Sequence, residues 1–278
     1  MKKLTALIIL LIGGILHAQE LSVLTYNIKY DATNDTINGW ANRKNFLISQ
    51  LNFNHPDIFG IQEGLHHQLE DIKEGLPNYE YFGVGRDNGD EKGEFTAIFY
   101  NSEKVELLEQ DTFWLSETPD VPSIGWDAAY KRICTYGIFK LKGASEKIIV
   151  FNTHFDHRGI IAREKSAFLV LKQIEKINKG DLPVVLMGDF NLELNTAGVK
   201  AILKKLKDTH SVAGTAAFGP EGTFNGFHFE EPVTRKIDFV FSSSNIQVVK
   251  SGILSDAKNC KYPSDHFPVY VELKLGED

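Results

Sequence analysis

The sequence predicts an α/β protein in which two β-sheets pack face to face and helices cover their outer surfaces. The chain has 278 residues and a hydrophobic content of 42%, which is enough to bury the core of one α/β domain. Both halves of the chain contain strand patterns and helix patterns, as layered α/β folds do. The middle contains strand patterns with no helix between them, which indicates antiparallel pairing.

The first half is predicted to alternate two strands with two helices, over residues 21–28, 40–54, 57–61 and 65–76. Leu47 and Leu51 lie one turn apart in the first helix, and Pro56 ends it. Strands joined by turns are predicted next, over residues 80–84, 95–101, 105–115 and 132–141. The loop at 116–131 contains Pro, Gly and Trp, and loops of this length often carry function.

The second half is predicted to contain strand, helix, strand, helix and three further strands, over residues 147–153, 160–177, 184–188, 196–206, 237–242, 246–254 and 266–274. In the helix at 160–177, one face is predicted to carry Ile161, Phe168, Leu171 and Ile174. The whole order of elements predicts a single domain over residues 19–278.

Residues 1–18 are predicted to be a signal peptide. Lys2 and Lys3 precede an apolar run from residue 4 to residue 16, and the small residue Ala18 precedes Gln19. The run is short for a membrane span, so no stable membrane anchor is expected. The sequence therefore predicts an exported protein, either periplasmic or secreted.

The charge of the chain bears on the size of its substrate. Residues 1–18 contain two lysines and no acidic residue, so their removal takes the formal net charge from −7 to −9. Binding of long nucleic acids depends on Lys and Arg contacts to phosphates, which an acidic chain is poorly suited to make. A small substrate is therefore favoured over a polymer. Cys134 and Cys260 are the only cysteines, and both a disulfide and two free thiols remain open.

The polar residues that could carry chemistry stand mostly at the ends of apolar runs. After the run at 184–187, Gly188 is followed by Asp189 and Asn191, so a carboxylate and an amide emerge two residues apart. Similar runs lead to other groups of this kind: Asn27, Glu63, His154, Asp238, Asp265 and His266. Active sites of α/β folds are built at strand ends, which predicts one site from distant parts of the chain. A plain Asn/Asp turn is the alternative for 189–191.

This ordered set resembles the endonuclease/exonuclease/phosphatase superfamily of DNase-like metal-dependent phosphoesterases. The resemblance rests on six pieces in order: Asn27, Gln62-Glu63, Asn152-Thr153-His154, Gly188-Asp189-Phe190-Asn191, Ile237-Asp238 and Ser264-Asp265-His266. It implies a four-layer α/β/β/α sandwich of two mainly antiparallel or mixed sheets. It also implies a metal-dependent hydrolase acting on phosphoester bonds.

The resemblance implies a role for each polar residue. Glu63 is then the main ligand of a Mg²⁺ or Mn²⁺ ion, with Asn27 and Asp265 in support, and these hard oxygen ligands suit such ions. Without the resemblance, Glu63 also reads as a carboxylate at the start of a helix.

The implied catalytic groups are His154, Asp189, Asn191, Asp238 and His266. Asp238 orients His266, and Asp189 aligns or deprotonates the attacking water. Asn191 holds the phosphate or that water, and the histidines stabilise developing charge. Arginines bind phosphate through their forked donors, and the candidate substrate-binding residues are Arg86, Arg132, Arg158 and Arg163.

The favoured function is an exported, Mg²⁺-dependent phosphoesterase that acts as a monomer on a small phosphorylated substrate, such as a sugar phosphate or nucleotide. A secreted nuclease with the same mechanism is one alternative. A sphingomyelinase-like phospholipase is another, with the stretch 224–229 as a candidate membrane-contacting hairpin. A non-catalytic binding module ranks last, because every expected site position is filled.

Overall fold

The computed structural model describes residues 19–276, so the predicted signal peptide lies outside the described residues. The strands are β1 (Gln19–Asn27), β2 (Ile58–Gln62), β3 (Tyr79–Phe82), β4 (Ile98–Asn101), β5 (Val105–Trp114), β6 (Ile133–Leu141), β7 (Lys147–His154), β8 (Val184–Asp189), β9 (Lys207–Asp208), β10 (Ala217–Phe218), β11 (Asp238–Ser242), β12 (Ile246–Ile253) and β13 (Val269–Leu275). The helices are α1 (Trp40–Asn54), α2 (His66–Gly75), α3 (Ile160–Ile177), α4 (Ala197–Leu203) and α5 (Thr209–Ala213).

The strands form two mixed sheets. The first has seven strands in the order β10-β12-β13-β1-β2-β4-β3, and the second has six in the order β5-β6-β7-β8-β11-β9. Each sheet has one parallel pair near its centre, β1 with β2 and β7 with β8, and β10 also runs parallel to β12. The other pairings are antiparallel, so the predicted sandwich of two mixed sheets is confirmed.

Alternation along the central strands separates three apolar layers. In β1, Val23 belongs to the core between the sheets, whereas Leu24 packs toward α1 and α2. In β7, Val150 likewise belongs to the inner core and Phe151 packs toward α3 and α4. Because successive side chains of a strand point to opposite faces, each sheet contributes one face to the shared core and one to its helices.

A buried amide pair crosses between the sheets beneath their loop ends. Gln62 at the end of β2 donates from Nε2 to Oδ1 of Asn152 in β7, at 2.6 Å. Asn152 in turn donates from Nδ2 to the backbone carbonyls of Ile61 and Ala97 in the first-sheet half, at 2.9 and 2.8 Å. Both amides are fully buried, so these hydrogen bonds satisfy groups that water cannot reach.

Three details differ from the sequence prediction. Strand β4 begins at Ile98 rather than at 95, because Phe95 forms only isolated bridges, to Gly64 and Gly85. The helix expected near 196–206 ends at Leu203, and the short elements β9 and α5 follow it. The last strand begins at Val269 rather than at 266, so His266 lies in the loop before it.

The remaining predictions concern cysteines and membranes. Cys134 is buried in β6, Cys260 is exposed in the loop before β13, and both are free thiols. Of the helices within residues 19–276, none has the length and apolar character needed to cross a bilayer.

Candidate active site

Strand register brings the predicted site residues to one edge of the sandwich. In the first sheet, Asn27 of β1 pairs with Gln62 of β2. Glu63 directly follows Gln62 and therefore lies close to Asn27. In the second sheet, His154 of β7 lies beside Asp189 of β8, and Asp189 pairs with Asp238 of β11. Parallel neighbours end at the same edge, so the polar residues that follow each apolar run converge.

The backbone at this edge takes conformations that few residues adopt. Glu63 has φ +62° and Asn191 has φ +48°, both in the left-handed region. Gly188 has φ +146°, and a Cβ added there would lie 2.0 Å from the carbonyl oxygen of Thr153. Unusual backbone geometry of this kind clusters at functional sites, where surrounding contacts maintain it.

Asn27 joins the two sheets at the site. Its Nδ2 donates to Oε1 of Glu63 at 3.0 Å and to Oδ2 of Asp189 at 2.9 Å. Its Oδ1 accepts from the backbone N–H of Lys29 at 3.0 Å. In this orientation Asn27 presents its amide nitrogen, not its oxygen, to the carboxylates. These hydrogen bonds hold Glu63 and Asp189 in place, and the metal-ligand role of Asn27 stays a prediction.

Glu63 remains the best candidate for a metal ligand. One oxygen of Glu63, one of Asp189 and a ring nitrogen of His154 all lie within 4.8 Å of one another. Burial opposes ionisation of Glu63, but hydrogen bonds from Asn27 and Tyr30 and the charge of His266 lower its pKa below the usual value. A charged, partly buried carboxylate beside a second one fits a hard divalent cation. Asp265 lines the same cavity and could complete the site.

A second carboxylate–imidazole pair is buried beside the first cluster. Nδ1 of His266 lies 2.9 Å from Oδ2 of Asp238, which also accepts from the Thr223 hydroxyl at 2.5 Å. Burial opposes the charge of His266, but Asp238 and then Asp189 raise its pKa to about 10. His266 is therefore a cation at neutral pH, with Nε2 facing Asp189 at 3.9 Å. The predicted pairing of Asp238 with His266 is present in the structure.

His154 is in the opposite protonation state. Burial and the charges of Arg132 and Arg86 hold its pKa well below the usual value, so the ring is neutral. Nη1 of Arg132 donates to the ring, at 2.9 Å from Nδ1 and 3.1 Å from Nε2. Nδ2 of Asn191 lies 3.4 Å from Nε2 on the same ring. Only one ring nitrogen of a neutral imidazole can accept, so His154 accepts a hydrogen bond from one of these two donors and its other ring nitrogen carries the proton.

Asp189 stands at the centre of the cluster. Its Oδ1 accepts from the backbone N–H of Asn191 at 2.9 Å, and its Oδ2 lies 3.4 Å from Nε2 of His154. Burial, followed by the charge of Asp238, raises the pKa of Asp189 to about 7. A carboxylate whose pKa lies near neutrality is suited to take a proton from water.

The cluster lies at the bottom of a cavity of about 610 Å³. Of the four predicted substrate arginines, Arg86 and Arg132 line this cavity. Arg158 is exposed outside the lining, and Arg163 donates to the backbone carbonyl of Asp156 at 3.3 Å. The substrate role predicted for Arg158 and Arg163 is therefore not supported by their positions.

Some cavity residues were not predicted from the sequence. Tyr130 comes from the long loop at 116–131, whose length was the only signal for a function there. Phe224 lies in the cavity wall, with its ring centroid 5.1 Å from that of His266, and not in an exposed hairpin. The guanidinium of Arg235 lies 5.5 Å from the Phe224 ring. The stretch predicted for membrane contact thus begins inside the site.

Arg43 of α1 supports the site from behind. The side chain is 4% exposed and donates to four backbone carbonyls: those of Ile28 (2.5 Å), Lys29 (2.7 Å), Asn38 (2.6 Å) and Pro263 (3.0 Å). Ile28 directly follows Asn27, and Pro263 precedes Asp265 by two residues. One buried guanidinium therefore ties together the loops that carry Asn27 and Asp265.

Two sheets packed face to face, with carboxylates and two histidines gathered at their loop edge, form the arrangement that the resemblance to DNase-like phosphoesterases implies. Residues 24–266 match the model of the Endonuclease/Exonuclease/phosphatase family. The chain belongs to this family.

Solved structures and curated proteins give the same relationship. An endonuclease/exonuclease/phosphatase family protein from Bacteroides thetaiotaomicron is 39% identical with a TM-score of 0.89, and the match covers 94% of this chain and 99% of that chain. A mannosyl-6-phosphatase from the same species is 40% identical with a TM-score of 0.86, covering 91% and 99%. An uncharacterized protein of Acanthamoeba polyphaga mimivirus is 34% identical over 55% of this chain. The chain spans 60% of the length of that curated relative and 42% of Drosophila melanogaster Nocturnin.

Proposed function

We propose that this chain hydrolyses the phosphomonoester bond of a small hydroxylated molecule, such as a sugar phosphate, with Mg²⁺ or Mn²⁺ as cofactor. The observation that carries the proposal is the cluster of Glu63, Asp189 and His266 within one cavity of about 610 Å³. Cavities of roughly 300–1,000 Å³ are typical of small-molecule sites. The related mannosyl-6-phosphatase, which is 40% identical, supports a phosphorylated sugar.

The side chains divide the work of an attack by water on phosphorus. His266 is a cation held by Asp238 at 2.9 Å, so its Nε2–H can donate to a phosphoryl oxygen as negative charge develops there. Asp189 can orient the attacking water and accept its proton. Asn191, held by the Phe155 carbonyl at 3.2 Å, can direct its amide toward the same water or phosphate.

Glu63 and Asp265, which both line the cavity, supply the carboxylate oxygens that would hold the cation, with Asn27 beside Glu63. When bound, the cation would polarise the phosphoryl group as a Lewis acid. Asn27 keeps Glu63 and Asp189 at a fixed spacing through its two hydrogen bonds, of 3.0 and 2.9 Å. Burial, and then the charge of Arg132 at 2.9 Å, keep the pKa of His154 low, so that this ring does not carry a competing positive charge.

A small substrate is favoured over a nucleic acid for reasons of charge. The formal net charge of the whole chain is −7, and phosphate backbones are bound mainly by Lys and Arg. A secreted nuclease is the alternative outcome, and salt-sensitive cleavage of duplex DNA in preference to sugar phosphates would replace our proposal with it.

We further propose that the protein is exported as a monomer. The support is the pair Lys2-Lys3, the apolar run that follows and the small residue Ala18 before Gln19. Mass spectrometry of the protein from its native host should find an N-terminus near Gln19. An intact Met1 in a cytoplasmic fraction would contradict export, and light scattering tests the monomer.

The catalytic assignment is tested with Asp189→Asn and His266→Ala, assayed on a panel of phosphoesters with Mg²⁺ or Mn²⁺. Each substitution should lower kcat by on the order of 10²-fold or more, because it removes a group needed in the transition state. The double variant should be little worse than the poorer single one, since the groups act as one unit. Circular dichroism separates this from unfolding, and folded variants with near-wild-type kcat would refute the assignment.

A further inference from the structure

Along one side of the cavity, five side chains contact one another in a ring. We propose that these side chains bind the sugar of the phosphorylated substrate. We call this group the Arg86–Tyr130 wall; it consists of Arg86, Glu94, Tyr130, Arg132 and His157, all of which line the cavity. The inference rests on the proposed phosphomonoesterase function. It assigns the recognition of the leaving group, which is the sugar, to this part of the site.

The contacts of the wall run from residue to residue and return to their start. Arg132 donates from Nη2 to Nδ1 of His157 at 3.0 Å, and its Nη1 lies 3.8 Å from Oε2 of Glu94. Glu94 accepts from Nη1 of Arg86 at 2.6 Å. The guanidinium of Arg86 lies 5.2 Å from the Tyr130 ring centroid, and that ring stacks on His157 at 5.8 Å and 17°. Every member is therefore held in place before a ligand arrives.

The wall adjoins the catalytic cluster directly. Arg132 contacts both His157 of the wall and His154 of the cluster, at 3.0 and 2.9 Å. A phosphate held by His266 and Asn191 would thus have its ester substituent within the same cavity as the wall. The cavity volume of about 610 Å³ suits a compact leaving group attached to the phosphate.

The polar chemistry of the wall matches hydroxyl groups. A sugar hydroxyl both donates and accepts hydrogen bonds, so a site for it needs fixed donors next to fixed acceptors. Arg86 and Glu94 provide such a pair, in contact at 2.6 Å. Among the described residues, the Arg86 side chain makes one hydrogen bond, from Nη1 to Glu94. Its Nε is buried and has no hydrogen-bond partner. The guanidinium therefore keeps donors for a ligand.

The aromatic part of the wall matches the carbon face of a sugar. Tyr130 is 48% exposed although it lines the cavity, and His157 beside it is also exposed. Two stacked rings that remain accessible within a polar cavity offer apolar area with polar edges. A pyranose has the same combination, with C–H groups on its faces and hydroxyls at its rim.

A second cation–aromatic pair in the cavity lining gives the comparison that makes the inference specific. Arg235 and Phe224 also form a cation–aromatic pair, at 5.5 Å, but Arg235 is exposed and carries no carboxylate partner within the cavity lining. The Arg86–Tyr130 wall alone combines buried donors, an acceptor and accessible rings in the described cavity.

The test compares two phosphomonoesters that share the reacting phosphate: a hexose 6-phosphate such as mannose 6-phosphate, and methyl phosphate, which has no ring. The measured quantity is the ratio of their kcat/KM values. Arg86→Gln and Tyr130→Ala should each lower this ratio by about 10-fold or more, as expected for a lost hydrogen bond to a charged donor or a lost stacking surface. Tyr130 is half exposed, so Tyr130→Ala should fold even if Arg86→Gln does not.

The controls separate the reasons for failure. Arg158→Gln removes an arginine that lies outside the cavity lining and should keep the ratio within about 2-fold of wild type. An unchanged ratio in folded Arg86→Gln and Tyr130→Ala would overturn the inference, and so would a ratio that falls only in Arg235→Gln. If the wild-type protein hydrolyses neither monoester in the presence of a divalent cation, the proposed function itself fails.

Discussion

Replacement of Arg43 by alanine should lower both the stability of the fold and the affinity of the site for a divalent cation. The side chain donates to four carbonyls, at 2.5 to 3.0 Å, and is 4% exposed. Each hydrogen bond to a charged group is worth about 1.5–3 kcal/mol, but water entering the space would satisfy some of the carbonyls. We therefore expect a loss of about 3–5 kcal/mol in the free energy of unfolding, typical of a broken buried charge interaction.

The effect on the metal site follows from where the four carbonyls lie. Ile28 and Lys29 directly follow Asn27, whereas Pro263 lies just before Asp265. Freeing these loops from one another should weaken Mn²⁺ binding by about 10-fold or more, as lost supporting contacts around metal sites commonly do. Urea unfolding of the metal-free protein gives the stability, and isothermal titration with Mn²⁺ gives the affinity without any turnover.

The neighbouring residue provides a matched control. Lys44→Ala removes a cation from the same helix, but Lys44 makes only a partly exposed ion pair with Asp71, at 2.9 Å. Its loss should cost about 1 kcal/mol or less and leave Mn²⁺ affinity unchanged. Arg43→Lys keeps the charge but not the forked donors, so its stability and Mn²⁺ affinity should lie between those of Arg43→Ala and Lys44→Ala. Arg43→Ala with stability and Mn²⁺ affinity close to those of Lys44→Ala would refute the reasoning.

Three further predictions concern the cofactor, the thiols and the backbone. Exhaustive treatment with EDTA should abolish phosphoester hydrolysis and added Mg²⁺ or Mn²⁺ should restore it, whereas full activity without a cation would contradict the metal site. A thiol reagent should modify Cys260 in the native protein and reach Cys134 only after unfolding, because Cys134 is buried and burial raises its pKa; two reactive thiols in the folded state would contradict this. Gly188→Ala should destabilise the fold by on the order of 2–4 kcal/mol, since the new Cβ would lie 2.0 Å from the Thr153 carbonyl oxygen; an unchanged urea midpoint would show that the strand relaxes freely.

The sequence predicted the parts of the site that depend on strand register. Asn27, His154, Asp189 and Asp238 each end or begin a strand, and pairing with a neighbour then fixes which of them meet. The same apolar runs predicted the two sheets and the helices on them, because burial on one or two faces leaves a periodic pattern.

The residues that escaped prediction are placed by tertiary contacts. Arg43 lies one turn before Leu47 on the buried face of α1, but the sequence does not show that folded loops bring four carbonyls to an arginine there. Tyr130 comes from a loop whose path has no local periodicity. Arg158 and His157 are adjacent, yet only His157 lines the cavity, because chain direction in a turn is set by contacts such as those of Asp156 with the backbone N–H groups of 158 and 159.

The buried amide pair between the sheets has a consequence for how the molecule is assembled. Nε2 of Gln62 donates to Oδ1 of Asn152 at 2.6 Å, and Nδ2 of Asn152 donates to the carbonyls of Ile61 and Ala97, so the Asn152 amide is fully matched in a single alignment of the sheets. If only apolar side chains lay between the sheets, one sheet could slide along the other at little cost. Here a displacement by one residue would leave buried donors and acceptors without hydrogen-bond partners. Because Glu63 follows a strand of the first sheet and Asp189 ends a strand of the second, this alignment also sets the distance between these two carboxylates. The spacing of the two carboxylates therefore depends on the Gln62–Asn152 hydrogen bond, which lies in the buried interface between the sheets.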